Sequence, residues 1–224
     1  FGIIKERKNP PDRRVVFSPE KLQEFQQKFP EATIKVESSQ IRIFSDQMYS
    51  NAEFEVTNDV SDCDVMIGVK EVPIAALIPN KKYFFFSHTI KKQHYNRGLL
   101  QAVLDKNIEL YDYETIVKEN GTRLIGFGRY AGIVGAYNGF RAFGLKKGTF
   151  QLTKAEFLTD QQALIEELNK IKLPNIKILL TGHGKVALGS QEMLDAMNIQ
   201  KVSIESYLKD TFTKPVYCML DALD

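Results

Sequence analysis

Cysteine is nearly absent from this 224-residue chain: Cys63 and Cys218 are the only two. That excludes a disulfide framework, and no secretory signal precedes the first strand, so the expected setting is reducing and cytoplasmic. No apolar run is long enough to span a bilayer. An excess of one charge is lacking too; a net charge of +2 gives no reason to expect nucleic acid or an anionic membrane as partner. The three histidines and two cysteines show no metal-ligand spacing, so no metal is expected. Nucleophile elbow, Walker motif, internal repeat and low-complexity segment are all missing. The chain opens on Phe1 rather than Met, which suggests a trimmed N-terminus. At 43% hydrophobic and 26% charged, the composition is that of an ordinary globular protein, long enough for one large or two small domains.

The most informative stretch present is Ile176 to Gly189. Ile178 to Leu180 is a short apolar run, as expected of a parallel strand buried on both faces. Gly182, Gly184 and Ala187 then fill a G-x-G-x-x-A pattern: a tight turn, a close backbone approach to pyrophosphate, and close packing of a helix on its strand. The helix that follows, with Val186, Leu188, Met193, Leu194 and Met197 as apolar positions, offers free amides and a positive dipole end to a phosphate. A second strand, Lys201 to Ile204, is expected to end at Glu205, 23 residues after Gly182, near the spacing of a ribose-binding acid. The bland alternative is a plain glycine turn. Glu205 points to NAD, and Lys201 and Lys209 nearby keep NADP open. Only 35 residues follow Gly189, too few to finish such a domain, so the second domain is expected to be incomplete.

Alternating strands and helices argue for an α/β fold, two Rossmann-like domains with mainly parallel sheets. Strands are expected at Phe1–Lys5, Ala32–Val36, Val65–Val69, Tyr83–Ser87 and Ile108–Tyr111. Ser18-Pro19-Glu20 reads as an N-cap and first turn of a helix running to about Phe29. Residues 38–60 are mostly polar and resist assignment. Helices are expected at Lys91–Leu104, with Tyr95, Leu99, Leu100 and Val103 on the apolar side, at Tyr130–Phe143, and at Lys154–Ile171. The resulting domains are 1–150, a linker helix over 151–174, and a cofactor domain beginning at 175.

Two of the predicted strands end in ionisable groups, Val65–Val69 in Lys70-Glu71 and Tyr83–Ser87 in His88. Ligands of open α/β sheets sit beyond the carboxyl ends of the strands, so Lys70 and His88 are candidates for one cleft. A lysine there can bind a carboxylate, or act as a base if burial and positive neighbours lower its pKa. A histidine can pass a proton to or from water or an imine nitrogen. Arg14 can clamp a carboxylate with both its nitrogens. Each has an ordinary alternative: a solvated lysine, a histidine that caps a helix, an Arg14 ion-paired with Asp12 or Glu20. His94 reads as a surface or packing residue, and His183 as either cofactor-facing or simply exposed.

Several segments carry a family resemblance: Ile4-Lys5-Glu6, Arg14 to Pro19, Gly68 to Pro73, Phe86 to Gln93, Tyr111 to Glu114, Gly121 to Arg123, Phe127 to Gly132, and the turn Thr181 to Gly184. Together the chain resembles the saccharopine dehydrogenase and lysine–ketoglutarate reductase group, related to alanine dehydrogenase and the transhydrogenase α-subunit. Ser87-His88-Thr89-Ile90-Lys91 is the most specific of these runs. The resemblance implies an NAD(P)-dependent oxidoreductase acting at a carbon–nitrogen bond of an amino acid, saccharopine-like, with an alanine dehydrogenase-like enzyme or a non-catalytic binding module as alternatives. It implies Lys70 and His88 as acid–base pair, and Arg14, helped by Lys91 and Arg123, as carboxylate binders. One extra residue before Arg14 leaves Arg13 as a rival. The implied partner is a small-molecule amino-acid substrate, and a homo-oligomer stays open. Because the family completes its active site with later segments, this chain by itself is expected to be inactive.

Overall fold

A computed structural model describes residues 1–221. Its contacts divide the chain into two compact units, Phe1–Gly126 and Phe127–Asp224.

The first unit contains β1 (Gly2–Ile3), α1 (Pro19–Lys28), β2 (Lys35–Glu37), α2 (Asp46–Asn51), β3 (Glu55–Thr57), β4 (Val65–Lys70), β5 (Lys82–Phe86), α3 (Arg97–Asp105) and β6 (Glu109–Asp112). Its six strands pair in parallel in the order β3-β2-β1-β4-β5-β6. The order reverses at β1 and β4, which makes their carboxyl ends the switch point where doubly wound sheets hold ligands. Both faces are covered. Ile3, Val36 and Ile67 pack with Leu22 of α1 and Tyr49 of α2. Ile4, Met66, Tyr83 and Phe85 pack on the other side with Leu99 and Val103 of α3. Successive strand residues thus serve opposite layers, the usual consequence of a period of two.

Local signals account for most elements. Ser18 Oγ accepts the Lys21 N–H at 3.3 Å, and Pro19 opens α1, as its sequence suggests. The unassigned stretch 38–60 holds α2 and β3. The helix expected at Lys91–Leu104 is broken: two short 3-10 turns, Thr89–Lys91 and His94–Asn96, precede α3, and Tyr95 is exposed. Left-handed backbone at His88 and Lys92 ends the first turn before an α-helix can propagate.

The second unit contains α4 (Gly128–Lys147), α5 (Gln161–Asn169), β7 (Lys177–Thr181), α6 (Lys185–Ala196), β8 (Gln200–Lys201), α7 (Ile204–Lys209) and β9 (Val216–Leu220). The contact boundary therefore lies before α4, not near residue 150. The reason is close helix packing: a Cβ on Gly132 would sit 1.9 Å from the Val186 carbonyl oxygen, and one on Gly189 would sit 2.0 Å from that of Arg129. These glycines let α4 and α6 meet backbone to backbone. Ser190 Oγ donates to the Gly132 carbonyl at 3.0 Å across the same contact. The single helix expected over Lys154–Ile171 is instead a 3-10 turn at Ala155–Phe157 followed by α5, capped by Asp160, whose carboxylate accepts the Ala163 N–H at 2.9 Å.

β9 lies between β7 and β8, all three parallel. β7 is not buried on both faces; Leu179 is half exposed. On α6, Met193 and Leu194 are buried, whereas Val186 and Leu188 are exposed.

Candidate acid–base site

The site is built at the carboxyl ends of β1, β4, β5 and β6. Between Ile67 and Lys70 the register of β4 against β5 shifts, an irregularity of the kind that re-aims a side chain. Glu6, just beyond β1, accepts the amides of Val69 at 2.7 Å and Lys70 at 2.9 Å through its two carboxylate oxygens. Burial is the main influence on Glu6 and holds its pKa above the ordinary value in spite of those two bonds. The clamp joins the strands on either side of the switch point and fixes the backbone that carries Lys70.

Lys70 Nζ lies 3.3 Å from His88 Nε2. The other ring nitrogen, Nδ1, lies 2.9 Å from Glu114 Oε2. Glu114 is buried, and its second oxygen faces Lys91 Nζ at 3.4 Å and Arg123 Nη1 at 3.5 Å. Burial alone would raise the Glu114 pKa; the charges and hydrogen bonds of His88 and Lys91 outweigh it and hold the group below the usual carboxylate value. Lys91 Nζ also lies 3.3 Å from Nδ1, farther than the carboxylate. An ionised carboxylate only accepts, so the shorter Glu114 contact calls for a proton on Nδ1 and leaves Nε2 of the neutral ring as acceptor toward Lys70.

The Lys70 pKa is depressed, first by burial and then by the charges of Arg14 and Lys8. That is the direction that lets a lysine lose a proton near neutral pH. Arg14 is therefore close enough to act on Lys70 electrostatically. Its guanidinium also makes the ion pair with Asp12 (Nε–Oδ1 2.9 Å, Nη2–Oδ2 2.5 Å) that sequence offered as the ordinary alternative. The hydrogen bond from Arg14 is the main cause of a lowered Asp12 pKa. Arg13 points elsewhere, to the Ile41 carbonyl at 3.3 Å. Lys8 pairs with Glu71 at 2.7 Å, and the second Glu71 oxygen is buried without a hydrogen-bond partner among the described residues.

The structure thus brings His88, Lys91 and Arg123 around Glu114 and Lys70 to the far ring nitrogen of His88, with Arg14 acting on Lys70. Sequence reasoning missed Glu6 and Glu114. Both stood in quoted family segments, Lys5-Glu6 and Tyr113-Glu114, yet nothing local marked them as partners of residues 64 and 26 positions away.

The glycine turn is in the second unit. Gly182 has φ +84°, the left-handed region that favours glycine. Gly184 caps α6 without a side-chain hydrogen bond, and a Cβ there would meet nothing within 4 Å. His183 is exposed and pairs with Asp221 at 3.0 Å. Ala187 is buried. Glu205 departs from expectation. The strand ends at Lys201, Ser203 Oγ caps α7 by accepting the Ser206 N–H at 3.1 Å, and Glu205 falls in that helix's first turn, bonded to Lys209 at 2.8 Å. With β9 inserted between β7 and β8, the end of β8 is also one strand farther from the glycine turn than in the usual dinucleotide order. Among the described residues, no cluster of His, Cys, Asp and Glu is arranged to hold a metal ion, and no helix is long and apolar enough to cross a membrane.

A parallel sheet with this strand order, with a lysine, a histidine and a glutamate gathered at its switch point, defines a doubly wound α/β domain. The chain belongs to the family of the alanine dehydrogenase/PNT N-terminal domain, whose model matches residues 2–134. It is 29% identical over 214 residues to the alpha-aminoadipic semialdehyde synthase of Arabidopsis thaliana, an alignment covering 86% of this chain and 20% of that protein. Identity is 39% over 113 residues to the mitochondrial alpha-aminoadipic semialdehyde synthase of Bos taurus, 50% of this chain and 12% of that protein. It is 31% over 123 residues to the saccharopine dehydrogenase [NAD(+), L-lysine-forming] of Yarrowia lipolytica, 53% of this chain and 32% of that protein. The chain therefore spans a third or less of each of these relatives. The fold matches an L-alanine dehydrogenase structure with a TM-score of 0.65 at 18% identity, over 98% of this chain and 60% of that one.

Proposed function

We propose that the protein is an NAD(P)-dependent oxidoreductase acting on the carbon–nitrogen bond of an amino acid, saccharopine dehydrogenase-like, with Lys70 and His88 as its acid–base pair. The observation that carries this reading is the 3.3 Å approach of Lys70 to a histidine whose other nitrogen is held by a buried carboxylate. Oxidising an amine to an imine removes one proton from nitrogen along with the hydride, and hydrolysing the imine removes another from water. Two adjacent groups, one a lysine of depressed pKa, suit those two transfers.

Substrate carboxylates fall to Arg14, Lys91 and Arg123. Lys91 and Arg123 share one carboxylate, Glu114, with His88, which leaves positive charge unbalanced beside the histidine. That excess favours saccharopine, with its three carboxylates, over alanine. Gly182, Gly184 and Ala187 fit the phosphate half of a dinucleotide; Glu205 does not fit its ribose half. A bound nicotinamide would supply the hydride acceptor, and the protein's part is orientation and proton movement. NAD is the proposed cofactor, and the compartment a reducing one, in keeping with the two buried free cysteines: the cytoplasm, or the mitochondrion by analogy with the bovine relative.

The test is turnover by the full-length protein with saccharopine, with lysine plus 2-oxoglutarate, and with alanine, each with both cofactors. Saccharopine or lysine turnover supports the reading. Activity with alanine alone, or none with any substrate, overturns it.

A further inference from the structure

The structure assigns a positioning role to Asp112, one that rests on the acid–base reading of His88. Asp112 closes β6 and is buried, opposite Phe85 in the β5–β6 register. Its carboxylate holds two segments at once. Oδ2 accepts the Ser87 hydroxyl at 2.5 Å, and Oδ1 accepts the Glu114 amide at 2.9 Å, with the Ser87 amide at a longer 3.4 Å. Ser87 directly precedes His88, and Glu114 is the histidine's partner. One side chain therefore fixes both ends of the 2.9 Å His88–Glu114 contact.

The turn that carries His88 needs such support. His88 has φ +59°, a left-handed conformation that a non-glycine residue holds only when its surroundings impose it. Ser87 is fully buried. Because its proton is given to Asp112, its oxygen is left to accept from the Thr89 amide at 3.1 Å and the Thr89 hydroxyl at 2.7 Å. The residues on both sides of His88 are thereby tied to Asp112, and the His88 carbonyl is tied separately by Asn96 Nδ2 at 3.2 Å. Asp112 touches neither His88 nor Lys70; it acts through Ser87 and the Glu114 backbone. The functional consequence is the ring's protonation pattern. Only with Glu114 in place does the neutral imidazole keep its proton on Nδ1 and present Nε2 to Lys70.

Ring-nitrogen NMR of the histidine-labelled full-length protein reads the tautomer directly, with the His88 signal assigned by its loss in His88→Gln and His94 and His183 as internal references. Neutral His88 is expected as the Nδ1–H form in the wild type. Asp112→Ala should convert it to a mixture with the Nε2–H form, while His94 and His183 signals stay in place. Asp112→Asn keeps an acceptor for the two amides and should retain Nδ1–H. If Asp112→Ala does not fold, Ser87→Ala, which cuts only the hydroxyl links, is expected to loosen the same tautomer. A folded Asp112→Ala or Ser87→Ala chain with unchanged Nδ1–H, or an Asp112→Asn chain as disturbed as the alanine variant, overturns the assignment. None of these readouts needs turnover. An inactive enzyme would thus sink the proposed function and leave this result standing, and an unmoved tautomer would do the reverse.

Discussion

His88 stands between two groups of opposite demand: Lys70 Nζ at 3.3 Å from Nε2 and Glu114 Oε2 at 2.9 Å from Nδ1. The carboxylate fixes which nitrogen carries the proton, so the other is free to exchange one with lysine.

Lys70 is depressed by burial and then by the positive charges of Arg14 and Lys8. Removing a positive neighbour makes protonation easier, so Arg14→Gln should raise the Lys70 pKa. In the full-length enzyme the limb of the kcat/KM pH profile that requires neutral lysine should move to higher pH, with KM for the substrate rising as well. A limb that stays put or moves to lower pH contradicts the electrostatic account.

Glu114 has a folded pKa below its ordinary value of 4.5. Its ionised form therefore contributes stability that is fully present above the unfolded pKa and is lost as pH falls through the lower folded pKa. Glu114→Gln should cost about 1–3 kcal/mol at neutral pH, since Lys91 and Arg123 are half exposed and can turn to water. Denaturant melts at several pH values check this. The difference from wild type should shrink below that folded pKa, and a cost that is constant with pH would remove the charge from the explanation.

Glycines along α4 should differ sharply. Gly132→Ala forces a Cβ to 1.9 Å from the Val186 carbonyl oxygen, and separating α4 from α6 should cost roughly 2–4 kcal/mol. Gly135→Ala meets nothing within 4 Å and should stabilise by about 0.5–1 kcal/mol through helix propensity. Thermal or chemical unfolding of the two variants distinguishes them; equal effects would mean that α4 and α6 do not pack through these glycines.

At the glycine turn, Gly182→Ala must hold a Cβ at φ +84°. Weakening of NADH binding by about 10-fold in the full-length protein is expected, for on the order of 1–2 kcal/mol of strain. Glu205→Gln should leave NADH affinity unchanged, because that carboxylate is exposed and bonded to Lys209. A marked loss from Glu205→Gln would restore the acid to the ribose.

How much of this was legible depended on the range of the signal. The Lys70 and His88 strand ends were readable because short continuous apolar runs mark parallel strands buried on both faces and ionisable residues close them. The helix at Ser18-Pro19 was readable because capping is a local bond. Ser203 carried the same kind of signal, a serine three residues before Ser206, and reading it would have moved Glu205 from strand to helix. The boundary at Gly126 was not readable, because what binds α4 to α6 is the absence of side chains at Gly132 and Gly189, two positions 57 residues apart.

By itself the sequence determined most of the element types, the alternation that makes an α/β fold, and the candidate residues for proton movement and phosphate binding. These follow from local propensity, caps and periodicity. Only the tertiary structure decided that β1 and β4 meet at the switch point, that Glu6 clamps the backbone of Lys70, and that Glu114 and Asp112 stand behind His88. Those relationships join residues 25 to 64 positions apart, and they exist only once parallel strands lie side by side and bury their carboxylates together.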